Sequence, residues 1–339
     1  MNKICCFLFI FLALCSCSAK STNDSIAESP VTVAEPISVT VNIQRFDKDL
    51  WSYLDNPTPE NMRLINNKYK EFLPAFGRIT INNSDTFKPE FFSRLRQYFS
   101  NEMLGGIYKN TLDTFSDMTS YEEELSVAEK LISENFSGKK LPLLSMHVSG
   151  FKENVMVLEG VISISGDKYL GKDYAAYRQF FDDYQRLQME PGMITRDYLR
   201  AWLLSDDVML IEEKKNLLTE MVQEGKVLYT LSQLLPSWAD TKLIGYTADN
   251  LKWCEENESK IWKAIVSQNH LYGQDYLMIQ KYMNTANYTA TLSTESPGRV
   301  GAWVGWQIVK AYVAKNATPF GDLLKLDAQK VLKGSVYNP

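Results

Sequence analysis

Residues 1–17 (MNKICCFLFIFLALCSC) hold four of the five cysteines of this chain, and that limits how the remainder can be held together. Lys3 gives a positive start, and Ile4 to Leu14 form an apolar run of 11 residues. Such a run is too short to span a bilayer as a mature helix and has the length of a signal-peptide core. It ends in Leu14-Cys15-Ser16-Cys17, the pattern of a bacterial lipobox, although Cys15 stands where Ala or Ser is usual. Cys17 is therefore expected to be lipidated and to become the first mature residue. Ordinary secretory cleavage near Ser18 or Ala19 is the competing reading. Cys5, Cys6 and Cys15 leave with the signal, so Cys254 alone remains as a thiol and no internal disulfide can form. Stability must come from a core. Cys254 itself lies in Trp253-Cys254-Glu255-Glu256, an acidic setting that disfavours a thiolate, and reads as a packing residue.

A core is affordable at 339 residues with 45% hydrophobic and 23% charged. The formal charge of −5, with no basic block, argues against a nucleic-acid partner and gives no attraction to anionic headgroups. Membrane attachment then falls to the acyl chains on Cys17. Only two histidines occur, His147 and His270, which excludes a His-rich metal site and the two-histidine zinc helix of a metallopeptidase. There is no Gly-rich phosphate loop, nucleophile elbow or calcium loop. No catalytic residue, metal or cofactor is assigned. His147 has apolar strand neighbours and reads as structural. Glu122-Glu123-Glu124 and Glu255-Glu256-Asn257-Glu258 fall on helices, where consecutive side chains diverge, and read as solvated faces.

The organisation expected is a signal peptide over 1–16, a lipidated Cys and flexible tether over 17–40, and one globular domain over 41–339. The tether is rich in Ser, Thr, Ala, Glu and Pro without apolar period. Patterning predicts helices over 47–54, 59–72, 89–99, 120–136, 173–187, 194–204, 214–235, 247–266, 297–313 and 320–332. Residues 143–148 and 155–164 are runs of apolar, alternating and, in the second, β-branched residues, with breaks at Ser149-Gly150 and Ser165-Gly166. They predict a small antiparallel sheet around residues 141–165. The fold class is α+β, mostly α-helical. Ser296-Pro297 predicts a capped helix start, and Gly301 and Gly305, four apart, predict close approach of another element.

Two cationic features stand out as candidates for binding an anion or a peptide. Arg299 follows Ser296-Pro297-Gly298 at the expected helix N-terminus, where a guanidinium and open N–H groups suit a carboxylate or phosphate. Arg196 and Arg200 in Arg196-Asp197-Tyr198-Leu199-Arg200 are i and i+4 and share a helix face, with Asp197 between them. The plainer readings are that Arg299 pairs with Glu295 or another internal acid, and that Arg196 and Arg200 lie on an ordinary charged face.

Gly225-Lys226-Val227-Leu228-Tyr229, Ile244-Gly245-Tyr246-Thr247, Trp253-Cys254-Glu255-Glu256, Ile261-Trp262, Ser296-Pro297-Gly298-Arg299-Val300-Gly301, Trp303-Val304-Gly305-Trp306 and Ser335-Val336-Tyr337-Asn338-Pro339 occur in this order. With Ile43-Gln44-Arg45-Phe46-Asp47 and Tyr169-Leu170-Gly171, the chain resembles the gliding-motility lipoprotein family GldB of Bacteroidetes. The resemblance covers about residues 40–339 and implies an outer-membrane, lipid-anchored protein. Ser18-Ala19-Lys20-Ser21 after the lipid Cys favour the periplasmic face. The resemblance, the lipobox, the tether and the missing catalytic set together are read as a non-catalytic accessory component of an envelope machine, with protein partners there; no catalytic residue is carried over from the family. A more distant likeness is to predicted zinc peptidases, whose zinc helix would fall on 196–200. Arg196 and Arg200 would then replace both imidazoles, leaving a zincin-like, metallopeptidase-like shell without its metal site, a pseudoenzyme. The alternatives are a metal-independent hydrolase and a peptide- or peptidoglycan-binding module using that cleft.

Overall fold

Among the described residues the first regular element is a three-residue strand, β1 (Ile43–Arg45), which runs straight into helix α1 (Phe46–Asp55). The computed structural model describes residues 38, 40–205 and 208–339. The signal peptide, Cys17 and the tether before residue 38 lie outside the described residues. After α1 come α2 (Pro59–Lys68), α3 (Leu73–Ile81), α4 (Pro89–Phe99), α5 (Glu102–Thr114) and α6 (Thr119–Asn135). Thr58 caps α2 by accepting the Asn61 N–H at 3.2 Å, and the Asn101 carboxamide caps α5. The helix predicted over 59–72 ends earlier, at Lys68, and α3 opens separately at Leu73, with Pro74 in its first turn where a missing N–H costs nothing.

Strands β2 (Leu143–His147), β3 (Val155–Leu158) and β4 (Val161–Ser165) complete a four-stranded sheet of order β1-β2-β4-β3. The expected antiparallel sheet is corrected here. β1–β2 and β2–β4 are parallel, and only the β3–β4 hairpin is antiparallel. Alternation showed which side chains share a face and carried no information on strand direction. Direction is set by the loop from Val148 to Asn154, which carries the chain back so that β4 joins β2 and β3 stays outside. Asp167 holds that loop by accepting the N–H groups of Ser149 (3.2 Å) and Phe151 (2.6 Å) and the Ser165 hydroxyl.

The register Leu144↔Ile162 and Met146↔Ile164 puts one apolar face on the larger core, shared with Ile43. The opposite face carries His147, Ser163 and Met156 towards an aromatic cluster from the N-terminal helices. There Phe46 meets Tyr69, Phe72 and Phe76 edge-on at 4.8–4.9 Å. The sheet is thus a partition between two helical layers.

Beyond β4 the chain makes short turns at 166–168 and 175–179, then α7 (Asp183–Arg186) and α8 (Ile194–Leu203). The helix predicted over 173–187 is interrupted because a new start forms at Asp182, whose N–H donates to the Gln185 side chain at 2.9 Å. Next are α9 (Leu217–Leu234), α10 (Asp240–Ile244), α11 (Ala248–Ser267), α12 (Tyr276–Met283), α13 (Val300–Lys315), α14 (Phe320–Leu323) and α15 (Ala328–Ser335). The predicted helix over 320–332 splits because Asp327 caps a second start at Lys330 N–H, 2.8 Å. α9 and α13 cross in near backbone contact. A Cβ on Gly305 would lie 1.7 Å from Met221 O, and one on Gly225 would lie 2.2 Å from Gly305 O. The close approach expected at Gly305 is present, and Gly225 is its partner.

Candidate functional site

α8 forms because Ile194, Tyr198, Leu199, Trp202 and Leu203 recur on one face, and that face is buried against the sheet and α9. Arg196, Asp197 and Arg200 fall beside this face and line a cleft of about 1530 Å³. Glu224 on α9 and Arg299 line the same cleft. The sheet side is formed by β3 and its flanks, including Asn154, Val155, Val157 and Leu158.

Glu224 is the centre of the arrangement. Arg200 grips it with two parallel bonds, Nη1 to Oε1 and Nη2 to Oε2, both 2.7 Å. Arg299 adds Nη2 to Oε1 at 2.8 Å and reaches the Ile244 carbonyl with Nη1 at 3.3 Å. Burial alone would raise the Glu224 carboxyl, but the Arg200 and Arg299 guanidiniums outweigh it and hold the group at about 2. Glu224 is thus a fixed anion. A second pair sits alongside: Arg196 Nε donates to Asp197 Oδ1 at 2.8 Å, and Arg196 Nη1 donates to Gln188 Oε1 at 3.0 Å. Tyr169 donates its hydroxyl to Asp197 Oδ2 at 2.7 Å.

The expected helix start at Ser296-Pro297 is corrected. Ser296 bonds to the Ser293 carbonyl at 2.6 Å and receives the Thr289 N–H at 3.1 Å, so it is not a cap. α13 starts at Val300, whose N–H meets Thr289 Oγ1 at 3.3 Å. Arg299 takes a left-handed backbone (φ 61°) just before it and turns its side chain inward to Glu224. The first N–H of α13 is thus taken by Thr289, and the Arg299 guanidinium by Glu224.

All four cationic-site candidates, Arg196, Asp197, Arg200 and Arg299, come to one cleft. Sequence reasoning did not select Glu224, Gln188 or Tyr169 as site residues. Glu224 is one of two carboxylates on α9, and nothing local separates it from Glu220; Gln188 and Tyr169 likewise carry no local signal. The histidines lie elsewhere. His147 is fully buried at ring-centroid distances of 5.8 and 5.9 Å from Phe72 and Phe76, and burial pushes it down to about 3. His270 faces the Tyr282 hydroxyl at 3.0 Å. Cys254 is buried and its thiol is pushed up to about 12. The acidic runs are not purely solvated faces. Glu122 accepts the Ile43 N–H at 2.8 Å, and Glu124 accepts from Thr195 at 2.8 Å and Trp238 at 3.0 Å.

A family model described as gliding motility protein GldB matches residues 27–339. The chain belongs to this family. Neither the curated proteins nor the solved structures gave a match. Membership places the chain with gliding-motility-associated lipoproteins, in keeping with the lipobox. No helix among the described residues is long and apolar enough to cross a membrane. The zincin-like expectation gains no support: no solved structure aligns, the sheet is mostly parallel, and Arg196 and Arg200 each pair with a carboxylate.

Proposed function

We propose that this GldB-family member is a non-catalytic accessory lipoprotein of an envelope machine, serving gliding motility or secretion and assembly. In this reading Cys17 anchors it in the outer membrane, on the periplasmic leaflet, and the cleft receives an acidic group of a protein partner. One observation supports it above the others. The carboxylates that could act as acid or base in the cleft's polar centre, Asp197 and Glu224, are both held by guanidiniums. A carboxylate held near pKa 2 is a poor proton carrier at neutral pH. Three guanidiniums, Arg196, Arg200 and Arg299, face these two carboxylates, and a further anion completes the balance.

The test is a crosslinked pull-down from native envelopes, with Cys17→Ala as an unanchored control. A defined envelope complex, lost in the control, is expected. Recovery of nothing specific from an abundant, anchored, folded protein would count against the accessory role. So would hydrolysis of a peptide or peptidoglycan substrate that disappears in Glu224→Gln.

A further inference from the structure

We propose that the outer edge of β3 takes up an extended peptide as a fifth strand of the sheet, with the C-terminal carboxylate of that peptide received by Arg200. This rests on the accessory reading, and names the chemistry of what the cleft docks.

The ladder geometry gives the first argument. β3 is the outer strand of the sheet. Asn154 O accepts the Ser165 N–H at 2.9 Å, and Met156↔Ser163 and Leu158↔Val161 follow in register. In an antiparallel ladder, alternate residues bond to the same neighbour, so 154, 156 and 158 spend their main-chain groups on β4. Val155 and Val157 then turn N–H and C=O away from the sheet. Both line the cleft, and the Val157 residue is 49% exposed. A row of main-chain donors and acceptors at strand spacing is matched by another polypeptide backbone, and not by a glycan.

Charge and space specify the occupant further. Six basic and four acidic side chains line the cleft, although acids outnumber bases in the whole chain, 41 to 36. Arg200 is the most open of the three guanidiniums, with its side chain 32% exposed, against 18% for Arg299 and 9% for Arg196. Its two bonds to Glu224 leave three of its five N–H groups for a ligand. The cleft, at about 1530 Å³, exceeds the usual size of a small-molecule pocket. An edge of four residues set within a cleft admits a single slim strand more readily than the sheet of a second folded copy.

The full chain in detergent is offered a pool of random decapeptides with free carboxyl termini, and the bound peptides are identified. Titration then compares each selected peptide with its C-terminal amide and with a form N-methylated at alternate residues. We expect selection from the pool and an affinity loss of about tenfold or more for either modified form, the size of a lost charge-assisted or backbone bond in a closed site. Val157→Pro removes an outward N–H and leaves the β4 ladder intact, so it should fold and bind about tenfold more weakly. Arg200→Met should do the same, since Arg299 still covers Glu224; circular dichroism checks both folds. No selected peptide, or binding unchanged in Val157→Pro, overturns the added strand. So does a dimer that dissociates in Val157→Pro, because the edge would then serve a second copy. If the envelope complex persists in both variants while peptide binding is absent, the strand proposal fails and the accessory reading stands. If no complex forms in the wild type, the accessory reading itself fails.

Discussion

Replacing Glu224 by Gln keeps the shape of the side chain and removes the charge that two guanidiniums share. In the native protein burial opposes ionisation, and Arg200 and Arg299 more than reverse it, taking the carboxyl from its ordinary 4.5 to about 2. A carboxyl shifted by that much contributes roughly 3 kcal/mol to folding at neutral pH. Breaking a buried ion pair from one side costs about 3–5 kcal/mol, so the two routes agree. Against a total stability on the order of 5–15 kcal/mol this is a large loss. The sign with pH follows from the depressed value. The contribution is fully present above about pH 4.5 and drains as pH falls towards 2. Urea unfolding of the unanchored Cys17→Ala chain, with and without Glu224→Gln, measures this at pH 7 and pH 3. At pH 7 the variant should be less stable by about 3 kcal/mol, and at pH 3 the gap should narrow by roughly 2 kcal/mol. A gap under about 1 kcal/mol, or one equal at both pH values, would refute the reasoning. Replacing the whole cluster with Glu224→Leu, Arg200→Met and Arg299→Met should restore most of the loss, since apolar groups carry no desolvation cost.

Three further outcomes follow from the same geometry. Gly305→Ala should abolish soluble expression or cost more than about 3 kcal/mol, because its Cβ would meet the Met221 carbonyl, whereas Gly106→Ala, with nothing within 4 Å, should be neutral or slightly stabilising by urea unfolding. In the mature lipoprotein Cys254 should react with a thiol reagent only on unfolding, since its thiol is buried and pushed up to about 12; rapid labelling of the native protein contradicts this. His147 should stay neutral in the fold from pH 7 to pH 4.5, because burial depresses it to about 3, and its share of stability is lost as pH falls through the unfolded value near 6.5 towards 3. Imidazole nitrogen shifts report its state directly, and protonation above pH 5 would show the site to be wet.

How much was legible depended on the range of the interaction involved. α8 and α9 were close to their observed bounds because an apolar face repeating at the helix period is written in adjacent residues. α5 escaped notice behind Gly105-Gly106, two poor helix formers that its Asn101 cap and buried Ile107, Tyr108 and Thr111 overcome. The candidate site was readable as cations, since Arg196 and Arg200 share a face by spacing alone. What they do was not readable, because Arg200 meets Glu224 across 24 positions and Arg299 meets it across 75.

By itself the sequence determined the class of the chain. Charge, the Leu14-Cys15-Ser16-Cys17 pattern, the single cysteine beyond residue 17 and the scarcity of histidine bound what it can be, since each depends only on which residues are present. Periodicity likewise determined which faces of most helices and strands are apolar. Only the tertiary structure decided that two of the three strand pairings are parallel, because side-chain alternation is the same in either direction. Only it decided that α13 begins at Val300 with Arg299 left-handed, because the Thr289 hydroxyl that receives its first N–H comes from eleven residues upstream. And only it joined three arginines and two acids at one cleft beside an open strand edge. That juxtaposition depends on how α8, α9 and β3 pack, and packing is decided by shape and burial across the whole core.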